Sequence, residues 1–449
     1  MENIPMNIIK LSHDNNIKPL HVNFNGGDIS SDAGLLLLKE VDRQVGLTQR
    51  MAEIIPDTRD QRYIDHSYLV LLQQRIAQIA AGYEDANDCN SLRDDPIFKL
   101  FAGRNPESDI PLGSQPTMTR FENQIKNSTL YRLAKVFVDL FIQSYDNEPK
   151  VIVLDFDDTE DRVHGCQQLA LFNGFYQERC FLPLHVYEGL SGKLITTILK
   201  PGKRSDGKLI LAILKRLVNY LRLFWKDTII IFRGDGHFMS PEVMDWIEHQ
   251  DQVMYVTGLT AYSPLQEMIK PIIQKVRKMH KQSNKEIIRY HSMRYKANSW
   301  QKYRRVVAKV ELVENKIHVR FIVTDMELAK AKSLFEQVYQ PRGQAELYIK
   351  EHKLYLRSDK TSCHRFQANQ FRVLLHSAAY VLFHQLKKNL LQHTQWANAT
   401  IETIRLRLLK IGVLVKELKT KINIEFPASC PVKSYMNRWF EMFTLLPHI

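Results

Sequence analysis

Four residues with helical spacing stand out in the segment YQPRGQAELYIKEHK, residues 339–353. They follow one another at steps of three, four and seven positions: Tyr339, Arg342, Glu346 and Lys353. Those steps place all four on one stripe of an α-helix. Such a stripe normally carries apolar side chains that pack against a core. A carboxylate between two cations and a phenol is better suited to holding a metal ion beside phosphate groups.

Two aspartates at the ends of apolar runs could join this glutamate. Asp157 follows VIVLDF, residues 151–156, and Asp235 ends DTIIIFRGD, residues 227–235. If the two runs are neighbouring strands, both carboxylates lie at one edge of the sheet, and Glu346 can complete the cluster. Three carboxylates bind hard cations through oxygen. Two such cations about 4 Å apart can stabilise the attacking and leaving oxygens of an in-line phosphoryl displacement.

The elements around these acids are predicted from their periodicity. They are strands at 151–156, 181–187 and 193–200, a helix at 209–224, a strand at 227–235, a helix at 241–250 and a strand at 252–259. This order is that of the α/β ribonuclease H-like fold, in which the first and fourth strands lie side by side. The assignment is made by fold analogy.

The rest of the chain falls into regions on either side of this core. A hairpin is predicted over 306–325 with its turn at Glu314–Asn315, and long helices over 371–390 and 400–418. We predict five regions: a helical region (1–148), the first part of the core (149–260), a basic β-rich insertion (261–335), the core completion with the Glu346 helix (336–392) and a helical C-terminal region (393–449).

Positive charge is concentrated in one window. The chain carries 62 Lys and Arg against 49 Asp and Glu, a net charge of +13, and residues 270–309 hold thirteen of the cations and one acid, Glu286. A segment this basic is typical of a nucleic-acid partner, although a solvated surface is the ordinary alternative. In the stretch NSWQKYRR, we predict that Trp300, Arg304 and Arg305 contact DNA.

Cysteine usage and hydropathy restrict the remaining function classes. The five cysteines are scattered, odd in number and never in C-x-x-C spacing, which favours reduced thiols over a disulfide framework or a zinc site. The N-terminus has no apolar signal core. The longest uncharged run, residues 373–386, is shorter than the ~20 residues that span a bilayer. We therefore expect a cytoplasmic protein without a membrane partner.

Three motifs together resemble the DDE-type transposases of bacterial insertion sequences. The Y-x2-R-x3-E-x6-K signature of one superfamily is complete at 339–353, the D-x-[TS] of the first acid is matched at 157–159, and the R-x-D-x-x-F of the second acid is matched at 233–238. The segments 164–176 and 360–366 resemble the insertion sequence 1380 family in particular. One departure is His237, where a small residue is common in that family.

The resemblance implies a transposase that cuts DNA at the element ends and transfers the freed strand into target DNA. It implies that Asp157, Asp235 and Glu346 are catalytic and hold two Mg²⁺ ions, with Mn²⁺ as a substitute. It also implies that Tyr339, Arg342 and Lys353 hold DNA phosphates. The expected partners are the terminal inverted repeats, target DNA and a second copy of the chain on DNA, in the bacterial nucleoid. The resemblance also implies that the helical region 1–148 binds the terminal-repeat DNA.

A base-binding role follows for one tryptophan from the same resemblance. In related transposases a tryptophan of the inserted domain holds a flipped base, which makes Trp300 the candidate in this chain. The alternative is that Trp300 packs inside the β-rich insertion.

Other functions remain open at this point. The segment DFDDT, residues 155–159, also fits the D-x-D-x-T motif of haloacid dehalogenase-like phosphatases, with Asp155 as the nucleophile and Asp157 as the acid/base. That fold needs a later pair of acids for Mg²⁺, and Met239 occupies the second position. A related nuclease that cuts without joining, or a non-catalytic DNA-binding derivative, would share most of these motifs. Arg342 could also merely pair with Glu346 at i,i+4.

Overall fold

The computed structural model describes residues 9–11, 20–203 and 207–445. The chain divides into two compact units, one formed by residues 1–121 and 385–449 and the other by residues 122–384. Both ends of the chain therefore contribute to one unit. The functions and boundaries of the five regions predicted above are not tested by this division and stay a prediction.

The unit formed by the chain ends is mainly helical, with small sheets. Its helices and helical turns are Leu35–Val45, Leu47–Ile54, Gln61–Tyr63, Tyr68–Ala81, Ala86–Asp88, Cys89–Leu92, Pro96–Phe101, Gln115–Gln124 (which runs past the boundary), Lys387–Leu391, Ile401–Ile404, Arg405–Leu409 and Lys433–Leu445. Its strands are Ile9–Leu11, Leu20–Val22, Ile29–Ser30, Val413–Glu417 and Ile422–Glu425.

The helix predicted over 400–418 is wrong beyond residue 409. Helical structure ends at Leu409, and Val413–Glu417 forms a strand that pairs with Ile29–Ser30 and Ile422–Glu425. The physical reason is the alternation in VLVKE, where Val413 and Val415 are buried, because a period of two suits a half-buried strand.

The other unit is built on a sheet of eight strands. In chain order they are β1 (Val151–Asp158), β2 (Leu184–Glu188), β3 (Leu194–Ile198), β4 (Ile229–Gly234), β5 (Val253–Leu259), β6 (Ile287–Tyr295), β7 (Arg304–Val313) and β8 (Lys316–Thr324). Their order across the sheet is β6-β7-β8-β5-β4-β1-β2-β3. The predicted first and fourth strands, β1 and β4, are parallel neighbours. The core therefore has the mixed sheet and strand order predicted for a ribonuclease H-like fold.

The basic segment after β5 extends this sheet. β8 pairs antiparallel with β5, from Val256↔Thr324 to Leu259↔Phe321. The predicted hairpin is confirmed, and Glu314 and Asn315 form its turn with left-handed φ angles of 50° and 62°. A helix at Ser263–Ser283, which was not predicted from the sequence, carries the first five of the thirteen cations of the basic window.

The remaining elements of this unit surround the sheet. They are the helices Asn127–Gln143, Gly207–Leu221, Pro241–Ile247, Ala331–Ser333 and Phe366–Leu386, and a three-stranded sheet of Asp161–Arg162, Leu171–Asn173 and Glu178–Phe181. In β1 the alternate residues Ile152, Leu154 and Phe156 belong to the main hydrophobic cluster. Since side chains alternate along a strand, Asp155 and Asp157 share the opposite face.

The segment that carries Glu346 is helical throughout but irregular. A π-turn at Leu334–Tyr339 and a 3₁₀ turn at Gln340–Arg342 precede the α-helix Gly343–Lys350, and a second π-turn follows at Glu351–Tyr355. Pro341 has no N–H to donate, which accounts for the change of helix type at that turn. Across the ranges that the structure describes, no helix combines the length and apolar character needed to cross a membrane.

Candidate functional site

The first two acids meet at one edge of the sheet. Asp157 lies near the carboxyl end of β1, and Asp235 directly follows β4. The two strands are parallel, and their last paired residues are Phe156 and Gly234. Asp157 and Asp235 come immediately after this pair on adjacent strands. The two predicted strands are therefore neighbours, which is the condition for their acids to lie at one edge of the sheet.

Arg342 links the first acid to the third. Its Nη1 donates to Asp157 Oδ2 at 3.1 Å, and its Nη2 donates to Glu346 Oε1 at 2.7 Å. Glu346 is 62% exposed, whereas the Asp157 side chain is 12% exposed. The i,i+4 pair of Arg342 with Glu346 is thus formed, and the same guanidinium also reaches the buried acid on β1.

Asp157 is electrostatically strained by its surroundings. Burial raises the pKa of Asp157 to about 7, the Arg342 guanidinium opposes this, and the nearby Asp235, Asp158 and Glu346 raise it further. A divalent cation relieves both burial and mutual repulsion of carboxylates, and oxygen is the ligand atom that Mg²⁺ prefers. The donor set of Asp157, Asp235 and Glu346 therefore fits such an ion chemically.

Glu346 is held by Arg342 in this structure. Within the described residues, no three His, Cys, Asp or Glu side chains are grouped closely enough to hold a metal ion. At the candidate site, Glu346 is paired with Arg342 instead.

The raised pKa gives a prediction for stability against pH. A carboxyl whose pKa is near 7 in the folded state and ~3.9 in the unfolded state binds its proton more tightly when folded. Its contribution to stability therefore falls as pH rises between about 4 and about 7. We expect Asp157→Asn to increase the free energy of unfolding, and the gain to be about 2 kcal/mol larger at pH 8 than at pH 5. Urea unfolding with a chelator present measures this. Exposed Asp251→Asn is the control, and a gain that is the same at both pH values would contradict the assigned cause.

The other two members of the predicted stripe lie near the same strand end. Lys353 Nζ is 2.7 Å from Glu160 Oε1 and 3.4 Å from Thr159 Oγ1, both in the loop that follows Asp157. Burial raises the pKa of Tyr339, while the Arg342 guanidinium lowers it and Asp235 raises it. The stripe read from sequence spacing thus faces the acids along its length.

His237 is engaged with the second acid. Its backbone N–H donates to Asp235 Oδ1 at 2.7 Å, and its ring Nδ1 lies 3.0 Å from Asp235 Oδ2. The departure from the family pattern therefore affects the carboxylate directly, because the imidazole holds one of the oxygens that a cation would use.

Asp155 is not available as a nucleophile. It is fully buried, and Arg233 Nη2 donates to its Oδ2 at 2.6 Å. Arg233 Nη1 also donates to the backbone carbonyl of Val338 at 2.5 Å. A phosphatase nucleophile must reach its substrate, so this arrangement opposes the dehalogenase-like alternative. The pairing of Arg233 with Asp155 was not predicted from the sequence. The signal that could have indicated it is that each residue lies two positions before a candidate acid, Asp235 and Asp157 respectively.

The structure buries the three residues of the basic window that were predicted to contact DNA. Trp300 is 3% exposed and belongs to the main hydrophobic cluster, so packing is the alternative that the structure supports. Arg304 pairs with Asp245 and Glu248 and is 1% exposed, and Arg305 donates to carbonyls that include that of Ala329 at 2.7 Å. Both guanidinium groups are therefore buried within the protein, where a DNA phosphate does not reach them. Other cations of the window are exposed. Some lie on the helix Ser263–Ser283 and others follow it: Lys275, Arg277, Lys278 and Lys281 on the helix, and Lys285, Arg289, Arg294, Lys296 and Lys302 after it.

Comparison with known proteins identifies a family. A family model described as transposase DDE domain, group 1, matches residues 12–448. Among curated proteins, none matches this sequence.

Two solved structures share part of the arrangement. A piggyBac transposase synaptic complex with hairpin DNA is 12% identical, covers 85% of this chain and 80% of its own, and superposes with a TM-score of 0.44. The Mos1 strand transfer complex is 14% identical, covers 47% of this chain and 62% of its own, and gives a TM-score of 0.17. Both superpositions are too loose to support a conclusion about this chain.

Proposed function

This chain belongs to the transposase DDE domain group 1 family, and we propose that Asp157, Asp235 and Glu346 are the acids with which it acts on DNA. The protein is a transposase, an enzyme that cleaves DNA and transfers the cut strand. The observation that supports the proposed acids is the double contact of Arg342, which joins the buried Asp157 to the exposed Glu346 at the strand end beside Asp235. Asp157 and Glu346 thus already share one positive charge, the guanidinium of Arg342.

DDE transposases use divalent metal ions, and the three acids are the residues that would hold them here: two Mg²⁺, with Mn²⁺ as a substitute. When bound, such ions lower the pKa of a coordinated oxygen nucleophile and neutralise charge that develops on the phosphate. The chain itself supplies the buried carboxylate of Asp157, whose pKa is raised to about 7. An ionised Asp157 without a cation is unfavourable there, and a bound cation would stabilise it. The His237 ring holds the Asp235 carboxylate in one orientation.

Arg342 and Lys353 exchange partners when DNA binds. Arg342 releases Glu346, and its planar fork turns to a phosphate next to the cleaved bond, a group that it can bind through two donors. Lys353 releases Glu160 and acts as a point charge on a neighbouring phosphate. Tyr339 supports Arg342 from the preceding turn.

Assembly and specificity are part of the same proposal. The chain is a member of the insertion sequence 1380 group with the Y-R-E-K signature, it acts as a dimer on DNA, and its helical N-terminal region recognises the terminal repeats. The spacing of the four residues at 339–353 supports the signature, and the helices between Leu35 and Gln124 support a helical N-terminal region. The dimer rests on the family resemblance.

The experiment that tests the function uses DNA from both sides of the coding sequence. The protein is incubated with a duplex of that DNA, a target plasmid and Mg²⁺, and the products are separated by size. We expect cut element ends and, later, joined products. Cutting without joining would support the nuclease alternative, and no cutting at any bracketing repeat would contradict the proposal.

Loss of either cation on the stripe is expected to affect strand transfer more than DNA affinity. Arg342→Ala and Lys353→Ala each remove one positive contact near the reacting phosphate, where a charge-assisted hydrogen bond contributes about 1.5–3 kcal/mol. We expect joining to fall about 10- to 100-fold and the Kd for element-end DNA to rise less than about threefold. Lys275→Ala, an exposed cation of the basic helix, is the matched control and should change affinity and joining equally. Equal losses for Arg342→Ala would mean that it is a general DNA contact.

A further inference from the structure

A short hairpin next to the acids carries exposed aromatic side chains. Its strands, Leu171–Asn173 and Glu178–Phe181, pair antiparallel and are joined by the turn 174–177. Phe172 is 60% exposed and Phe175 is 76% exposed, and two apolar neighbours are also exposed: Leu169 and Leu171. Apolar side chains exposed together in one place mark a binding surface.

The tip of this hairpin is held in a fixed conformation. Asn173 Oδ1 accepts from the backbone N–H of Phe175 at 2.9 Å and of Tyr176 at 3.3 Å. The Asn173 side chain is buried, and its Nδ2 donates to the carbonyl of Gly202 at 2.7 Å. The aromatic rings therefore project from a turn that is already organised, which lowers the entropy cost of binding.

The turn reaches toward both strand-end acids. The Phe175 ring centroid lies 6.1 Å from that of His237, whose ring in turn contacts Asp235. On the other side of the turn, burial raises the pKa of Tyr176 to about 12, and Glu160, Asp158 and Asp157 are among the charges that raise it further. Phe175 is therefore next to the Asp235 loop, and Tyr176 is near the end of β1.

The position of the hairpin determines what can bind to it. A phosphate that reacts at the acids brings its own nucleotides within reach of Phe175, whereas a protein bound at the same tip would cover the acids. Phe172 is paired across the hairpin with the exposed Arg179, so a cation accompanies the aromatic rings. Aromatic rings among cations are a common surface for single nucleotides, because every base offers a flat face.

We propose that Phe175, whose ring meets that of Tyr176 edge-on at 4.9 Å, stacks on a nucleobase that leaves the duplex beside the scissile phosphate. Bases inside a duplex are covered by their neighbours, so a contact with Phe175 requires an unstacked base. The inference rests on the proposed function, since DNA must lie at Asp157 and Asp235.

The test measures base unstacking and cleavage separately. The probe is an element-end duplex, taken from the DNA bracketing the coding sequence, with 2-aminopurine at positions next to the cleavage point. Fluorescence is read with the full chain carrying Asp157→Ala, so that the duplex stays intact. We expect the fluorescence increase seen on binding to fall at least about fivefold with Phe175→Ala. In the active protein, the same change should lower cleavage about tenfold, as expected for one lost base stack, and Phe175→Trp should restore both signals.

Controls separate stacking from other roles. Phe224→Ala removes a comparably exposed phenylalanine, 51% accessible, just before the strand that leads to Asp235, and it should leave both signals unchanged. Equal fluorescence and cleavage for Phe175→Ala and the parent would overturn the proposal. So would unchanged fluorescence together with a smaller protein–DNA complex on sizing, which would indicate a contact between copies. If the parent never cuts the duplex, the proposed function fails, and the fluorescence comparison still decides whether Phe175 stacks on a base.

Discussion

Replacing any one of Asp157, Asp235 and Glu346 with alanine is expected to abolish DNA cleavage while DNA binding survives. Residues that only support metal ligands typically change metal affinity or activity by 10–100-fold. Loss of a ligand should therefore exceed about 100-fold in the rate of cleavage. Binding should persist, because phosphate contacts made by surface cations supply most non-specific affinity. Cleavage of a labelled element-end duplex and a gel-shift titration measure the two effects.

Two details of this experiment sharpen the assignment. Asp157→Ala and Asp235→Ala each remove a carboxylate at the end of neighbouring strands. Glu346→Ala removes one of the two carboxylates that Arg342 contacts and keeps its contact with Asp157. Glu351→Ala, on the same helical segment, is a control that should keep activity. If Asp157→Ala still cut DNA and a folded Asp155→Ala did not, the first acid would be misassigned.

Breaking the buried pair of Asp155 and Arg233 is expected to give the largest loss of stability. Their side chains are 0% and 1% exposed, and they are register partners on β1 and β4. Removing one partner leaves a buried charge without compensation, which typically costs about 3–5 kcal/mol. Arg233→Met should therefore lower the free energy of unfolding by that amount, as measured by urea unfolding at neutral pH.

A double substitution tests the electrostatic cause. Asp155→Leu combined with Arg233→Met removes both charges and should recover most of the lost stability, as replacement of buried ion pairs by apolar residues often does. The carbonyl of Val338 would still lack its donor. As a matched control, Arg320→Met affects a pair with Glu311 in which the arginine is 62% exposed, and it should cost less than about 1 kcal/mol. Equal losses for Arg320→Met and Arg233→Met would contradict the argument.

The pair also connects the three elements that carry the acids. Asp155 is on β1, Arg233 is on β4, and Val338 lies in the π-turn that precedes Arg342 and Glu346. We therefore regard Asp155 and Arg233 as positioning residues. One guanidinium donates to a carboxylate and to a backbone carbonyl at once. A lysine in place of Arg233 could not reproduce this geometry.

Local pattern in the sequence determined the strands and the candidate acids. The apolar run at 151–156 and the run at 227–235 predicted β1 and β4, because a strand buried on both faces needs little more than a short apolar sequence between turns. The steps from Tyr339 to Lys353 predicted a shared face, although the helix type changes within that segment. Fold analogy then supplied the pairing of the two strands, and the register confirms it.

Only the tertiary structure decided which charged and aromatic side chains are free to act. Arg304 binds Glu248, 56 positions earlier, and Arg233 binds Asp155, 78 positions earlier. No local period contains such distances, so Arg304 looked like a DNA contact and Asp155 looked like a possible nucleophile. For the same reason, the sequence could not show that Trp300 is buried and Phe175 is exposed, because both are aromatic residues. Periodicity reports how a backbone segment presents its side chains, whereas the folded chain determines what those side chains meet.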